Sequence, residues 1–500
     1  MPLAASALIV LALLLLAWDA SRPHRAGRDA RIAAFAVVLL LVGGSLRVAA
    51  GPTFLDGVVA ALASLGVGLL AASLVLALRR TSPRSFFILG ILVLALAGAL
   101  RTAGALLQPR TAKLALLVEL GPDDRIEELA PLLDRHGARY ERAFPTVTRA
   151  MDIDLAQVYL VYVPARSAEA LAAALRADRE NVDDVTINRS IGLEPPVLVP
   201  VAEPAPGLAQ ANDPLAAEQW ALAMSGGHAA HALLQDLHPA RKARIAIIDT
   251  GVDGAHEDLA ATFRDSPART DRHGHGTHCA GIAGAATNNG LGMASLNWEG
   301  RFVEVTGYGA LDATGLGTLE SVAQAIIDAT QDAADVISLS LGDYAPVPPK
   351  VLADAVDFAR ERGVILVASA GNGNRDAWNH VPSNLEGVIA VAAVDAQGRK
   401  APFSNTTARL SRPIAAPGVN IVSLAPANGY ATMSGTSMAA PFVSGLIGVL
   451  RALAPDLSAE DAYTILHETG LVVEDTDRIG RVVDAGAAIR AVLDRQKQAG

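Results

Sequence analysis

The sequence predicts an α/β protein in three parts. Four transmembrane helices come first, then a small α+β unit of ferredoxin-like order, then a larger α/β domain that carries the chemistry. Three observations predict this. Long apolar stretches fill the first 109 residues, the pattern changes at Thr111 to alternating strands and amphipathic helices, and Arg244–Asp249 is a short apolar strand ending in a carboxylate. Five hundred residues, at about 100–200 per domain, allow two to four such units.

Composition narrows the function. Lys and Arg number 41 against 51 Asp and Glu, a net charge of −10, so the chain lacks the basic balance of a general nucleic-acid binder. The mean hydropathy is +0.33. Only 18% of residues are charged, against about 25% in soluble domains, and most of the excess apolarity lies in the first fifth of the chain. A single cysteine excludes an internal disulfide framework and a cysteine-rich zinc site.

The apolar stretches are Pro2–Trp18, Ile32–Ala50, Phe54–Leu78 and Phe86–Leu107. Each lies near the roughly 17–25 helical residues that span a bilayer core. Arg47, Asp56 and Arg101 sit near the ends of their stretches, where charges snorkel to the interface. The first connecting loop carries Arg22, Arg25, Arg28 and Arg31, the third carries Arg79, Arg80 and Arg84, and Gly51–Thr53 carries no charge. The positive-inside bias places the first and third loops in the cytoplasm, so everything after about Pro109 is expected outside it.

From Lys113 the chain reads as a compact α+β unit. Lys113–Leu120, Gln157–Val163 and Val182–Ile187 have strand character, and Asp124–His136 and Ser167–Arg179 are amphipathic helices. This suggests the strand–helix–strand–strand–helix–strand order of a ferredoxin-like unit, spanning 111–193. Glu194–Gly207 (EPPVLVPVAEPAPG) is proline-rich and aperiodic, so 194–211 reads as an extended linker.

The chemistry lies beyond the linker. Asp249-Thr250-Gly251 closes a buried strand, the place where open α/β sheets carry their sites; a helix cap or turn is the plainer use of such an aspartate. His273-Gly274-His275-Gly276-Thr277-His278-Cys279-Ala280-Gly281 supplies histidines without a third metal ligand nearby. A catalytic base needs an imidazole held in one tautomer by a carboxylate, and Asp249 is available for His275. Gly435-Thr436-Ser437-Met438-Ala439-Ala440-Pro441 leads into the apolar run Phe442–Leu450. That puts Ser437 at the positive end of a buried helix, where a hydroxyl becomes a nucleophile once a base takes its proton. Ile365–Asn374 (ILVASAGNGN) is a strand running into a turn, and Asn372 there is an oxyanion donor or an ordinary left-handed turn residue.

Together, DTG, HGTHCAG, SAGN and GTSMAAP, in this order, resemble the subtilisin-like serine peptidases, over about Asn212–Gly470. The order Asp, His, Ser is that of the subtilisin triad. The resemblance implies a doubly wound, mainly parallel sheet for 212–495. It implies Asp249 as orienter, His275 as general base and acid, Ser437 as nucleophile, and Asn372 with the Ser437 amide as oxyanion hole. It further implies that Ser340, Leu341 and Gly342 pair with the substrate backbone, and that Ser369, Ala370 and Gly371 wall the pocket for the residue before the scissile bond. A protein or peptide substrate follows, with no metal in the reaction and no cofactor. Asn288-Asn289-Gly290 falls where many family members build a calcium loop, but few carboxylates cluster there. Cys279 reads as a small buried residue and His278 as structural. Phe302–Gly309 (FVEVTGYG) departs from the family's usual strand and glycine loop.

The resemblance also casts 111–193 as an inhibitor-type prodomain, an intramolecular partner that assists folding of a slow parallel sheet. The expected protein is a multi-pass cell-membrane zymogen with an extracytoplasmic catalytic domain, self-processed at the linker. Such a cut severs the covalent tie to the membrane. A catalytically silent peptide-binding pseudoprotease and a membrane sensor are the competing readings.

Overall fold

The computed structural model describes residues 113–194 and 211–499. The four spans expected within 1–109, and linker residues 195–210, lie outside the described residues.

The small unit is a four-stranded antiparallel sheet in the order Arg139–Arg142, Val158–Pro164, Lys113–Leu120, Val182–Ile187. Alternation in the central strand sorts its side chains. Leu116, Val118 and Leu120 enter a core closed by Leu129, Leu133, Leu171 and Leu175, while Leu117 faces the opposite way. The second helix runs Ala165–Ala177. Where one helix was expected over Asp124–His136, a 3-10 turn Ile126–Leu129 is followed by the short helix Ala130–Arg135. Pro131 explains the break, because it cannot donate back into the preceding turn.

The large domain is built on seven parallel strands. Their order is Arg481–Val482, Pro413–Pro417, Ile389–Val394, Ile365–Ser369, Val336–Leu339, Ala243–Asp249, Val303–Gly309. Both faces are covered, as a parallel sheet requires. Ile245 and Ile247 point into one core with helices His275–Gly284 and Thr436–Leu453. Ala246 and Ile248 point into the other, with helices Leu319–Gln331 and Lys350–Glu361. That second core is shared: Leu117, Phe144, Val158 and Leu160 of the small unit join it. The bare face of the small sheet is thereby buried on two helices of the large domain.

From Ala243–Asp249 the chain moves to the sheet edge at Val303–Gly309 and then returns to the other side at Val336–Leu339. This reversal is a topological switch point, and the crevice beyond the strand ends there is where such sheets bind ligands. Asp249 ends one of these strands and Ser340 follows its neighbour.

Candidate active site

Asp249 is fully buried, and both its carboxylate oxygens accept from Nδ1 of His275, at 2.8 and 2.9 Å. Oδ1 also accepts from the Thr250 amide at 2.8 Å. Helix His275–Gly284 approaches this closely because Gly276 has no side chain: a Cβ there would lie 2.1 Å from the Gly251 carbonyl oxygen. Burial works against a charged imidazole at His275, yet the Asp249 carboxylate, with Cys279 beside it, holds its pKa well above the ordinary 6.5. His278 goes the other way. Burial and the His275 charge push it down to about 3, and its Nε2 lies 3.2 and 3.1 Å from the carbonyls of Ile421 and Ala431. It holds strands together as a neutral ring.

Ser437 is the second residue of Thr436–Leu453. This helix is the one among the described residues long and apolar enough to cross a membrane, and 89% of it is buried inside the domain. Pro441 lies within it and has no N–H to offer the carbonyl four residues back. That carbonyl belongs to Ser437, and it accepts instead from Ser340 Oγ at 2.9 Å and Cys279 Sγ at 3.3 Å. Cys279 also lies 3.8 Å from His275 Nδ1, so one small side chain touches His275 and the Ser437 turn together. Burial pushes its thiol up in pKa, as for an inert packing residue. The Ser437 hydroxyl donates to Ser340 O at 3.2 Å, and no hydrogen bond joins it to His275 among the described residues. Such bonds are often open without substrate.

Asn372 Oδ1 accepts from both the amide and the hydroxyl of Thr436, each at 2.9 Å. That fixes the flip of the side-chain amide and leaves Nδ2 free to donate. A Cβ added at Gly435 would lie 3.4 Å from Asn372 Nδ2 and 3.6 Å from the Ser437 amide nitrogen. The two donors therefore border one small space at the helix start, fit for an oxyanion.

The substrate-binding segments expected from sequence border this centre. Ser340, Leu341, Ser369 and Ala370 are buried. Gly342 donates its amide to the Gly192 carbonyl at 3.0 Å, and Gly371 donates to Thr436 Oγ1 at 3.1 Å. The peptide partner is the tail of the small unit itself. Ser190–Gly192 pairs antiparallel with Leu316–Thr318, Leu193 donates to the Gly315 carbonyl at 2.9 Å, and Gly192 bridges to Gly342 on the other side. The tail is a strand inserted between two edges. Glu194, placed in the linker by sequence, continues it, and its carboxylate accepts from the Asn372 amide.

Three participants carry too little local pattern to stand out in the sequence. Leu316–Thr318 forms the second edge of the cleft. Asp271 is buried and accepts from Thr250 Oγ1, the amides of His273, Gly274 and Thr277, and Thr277 Oγ1, all at 2.8–2.9 Å. It shapes the loop that delivers His275, and an aspartate two and three residues ahead of His273-Gly274 is the turn signal that marks it. The third is His380.

At the expected calcium loop, Asp213 accepts from the amides of Asn288 and Asn289, while Asp258 accepts from Asn289 Nδ2 and the Met293 amide. Among the described residues, the group of His, Cys, Asp or Glu close enough to share an ion is Asp249, His275 and Cys279, which belongs to the candidate active site.

Comparison with known proteins finds a family. The Subtilase family model matches residues 240–486. The chain is 41% identical over 222 residues to thermitase of Thermoactinomyces vulgaris, covering 43% of this chain and 77% of thermitase. It is 36% identical over 246 residues to subtilisin DY of Bacillus licheniformis, covering 48% and 87%. A thermophilic serine proteinase of Bacillus sp. strain AK1 is 45% identical over 213 residues, but the match spans only 51% of that relative and 41% of this chain. A solved structure of proteases from Pseudoalteromonas arctica PAMC 21717 superposes with a TM-score of 0.51 at 28% identity, over 57% of this chain and all of that one.

Proposed function

The chain belongs to the subtilase family of serine-type endopeptidases, and on that premise we propose that it is a membrane-anchored member in which Asp249, His275 and Ser437 form the triad. His275 Nε2 takes the Ser437 proton as Oγ attacks the scissile carbonyl, and Asp249 stabilises the imidazolium that forms. Asn372 Nδ2 and the Ser437 amide hold the oxyanion. His275 then protonates the leaving amine, and water releases the acyl group from Ser437. The reaction needs no metal.

The observation that supports this best is the pair of 2.8 and 2.9 Å bonds from Asp249 to one nitrogen of His275, which leaves Nε2 for the nucleophile. A pure peptide-binding surface has no use for such an arrangement. The 111–193 unit acts as the inhibitor-type prodomain, its tail seated where substrate goes. The spans within 1–109 anchor the chain, the catalytic domain lies outside the cytoplasm, and self-cutting within 194–211 frees it from the covalent tether.

Casein hydrolysis by the full chain, absent from its Ser437→Ala form, is the expected result. Equal hydrolysis by both forms, or by neither, contradicts the triad. Blotting membrane and supernatant fractions for the catalytic domain tests the anchor. A full-length band alone, with full activity, would argue against release.

A further inference from the structure

The side chain of Glu194 reaches a pocket whose floor is His380. This imidazole lies between the two segments that flank the cleft. A Cβ on Gly342 would lie 2.3 Å from His380 Cε1, and one on Gly371 would lie 2.7 Å from Nε2. Both positions are glycine because the ring fills their side-chain space. His380 is only 4% exposed. Its Nδ1 lies 3.0 Å from Ser383 Oγ, and that hydroxyl gives its own proton to the His380 carbonyl at 2.9 Å. The hydroxyl must therefore accept from Nδ1–H.

That leaves Nε2, which is buried, has no hydrogen-bond partner among the described residues, and faces Glu194 Oε1 at 3.3 Å. The other carboxylate oxygen of Glu194 takes the Asn372 amide. With Nδ1 committed to Ser383, Nε2 is the ring nitrogen left to face the Glu194 carboxylate. The Arg375 charge adds to the same field. Burial works against a charged Glu194, yet these partners leave its pKa lowered.

Register identifies the position. Gly192 bridges to Gly342, Leu193 bonds to Gly315, and the next residue, Glu194, takes the amide of Asn372, the residue that follows Ser369-Ala370-Gly371. It thus stands where the residue before a scissile bond would stand, and Ile191, three residues earlier, is 1% exposed in the shared core.

We infer that His380 is a specificity-determining residue and that this cleft selects substrates with an acidic residue, glutamate above all, immediately before the cut. The inference rests on the reading of the cleft as a peptidase site. An apolar residue there strands the buried Nε2 and the Asn372 amide without a partner, and a basic one meets the like charge of Arg375. The preference also bears on self-processing. Both glutamates of 194–211 precede proline, Glu194-Pro195 and Glu203-Pro204. A proline nitrogen carries ring carbon in place of hydrogen, so these bonds are slower to cut than Glu–X bonds in a substrate.

The test is a digest of a mixed peptide library by the full chain, with its Ser437→Ala form as blank and cut sites read by mass spectrometry. Ser437-dependent cuts after Glu should exceed those after Leu, Phe or Gln by about tenfold or more. Ser437-dependent cuts mainly after apolar or basic residues overturn the inference and leave the peptidase intact. Absence of any Ser437-dependent cut removes the peptidase reading and this one with it. A His380→Gln form provides the second arm: the Glu preference should fall about tenfold while cuts after other residues persist, and an unchanged profile contradicts the role of His380.

Discussion

Ser340 and Ser437 are bonded to each other twice. Ser340 Oγ donates to the Ser437 carbonyl at 2.9 Å, and Ser437 Oγ donates to the Ser340 carbonyl at 3.2 Å. The first bond exists because Pro441 leaves that carbonyl unclaimed. The second occupies the Ser437 hydroxyl proton. Replacing Ser340 with Ala should remove one hydrogen bond of about 1 kcal/mol from the turn that aims Ser437, lowering kcat/KM about fivefold. Steady-state kinetics on one peptide decide it. A loss of a thousandfold or more would mean that Ser340 does more than hold the turn.

His275 serves as a base only when neutral. Because Asp249 raises its pKa above 6.5, the acid limb of the kcat/KM profile should lie above that value, with activity lost as pH falls through it. Asp249→Asn should reduce kcat about 10⁴-fold and move that limb to lower pH. An unmoved limb would separate Asp249 from the base.

Asn372→Ala should cost about 10²–10³ in kcat with little change in KM. Gly435→Ala gives an independent probe. The backbone there is extended, with φ of 166°, so alanine fits without strain, but its methyl occupies the space between the two donors. A comparable fall in kcat with an unchanged melting temperature is expected; full activity would place the oxyanion elsewhere.

Docking of the small unit carries its own pH dependence. Lys350, on a helix of the large domain, faces three carboxylates: Glu119 at 2.7 Å, Asp354 at 3.0 Å and Asp154 at 4.0 Å. Burial pushes Glu119 up from 4.5 to about 7 against the pull of Lys350, and Asp354 up to about 6. A carboxyl raised in the folded state stabilises it fully below its ordinary value and loses that contribution as pH rises through the raised one. Thermal stability of the Ser437→Ala form should therefore fall between about pH 5 and pH 8, and Glu119→Gln should flatten the fall by about 2–4 °C. Parallel melting curves across that range check it; identical slopes would assign the dependence to other groups.

The parts of this protein legible in its sequence are those with dense local signals. Ala243–Asp249 shows itself as an apolar run closed by an acid, and the buried helix Thr436–Leu453 as a long apolar stretch behind a glycine and serine. Arg139–Arg142 is missed because all four of its residues are exposed, and only pairing with Val158–Pro164 makes it a strand. His380 is illegible for another reason. Its place depends on two glycines, Gly342 and Gly371, brought together from separate loops. No window of sequence around any one of the three contains that meeting.

Ser437, driven by His275 and Asp249, is proposed to cut peptide bonds. The direct measurement is to produce the full chain and its Ser437→Ala form side by side, assay both on casein, and sequence the amino terminus of any fragment. Casein hydrolysis by the unaltered chain alone is expected, with a slowly accumulating fragment that begins between residues 194 and 212. Identical gels from the two forms, with casein untouched by both, would contradict it.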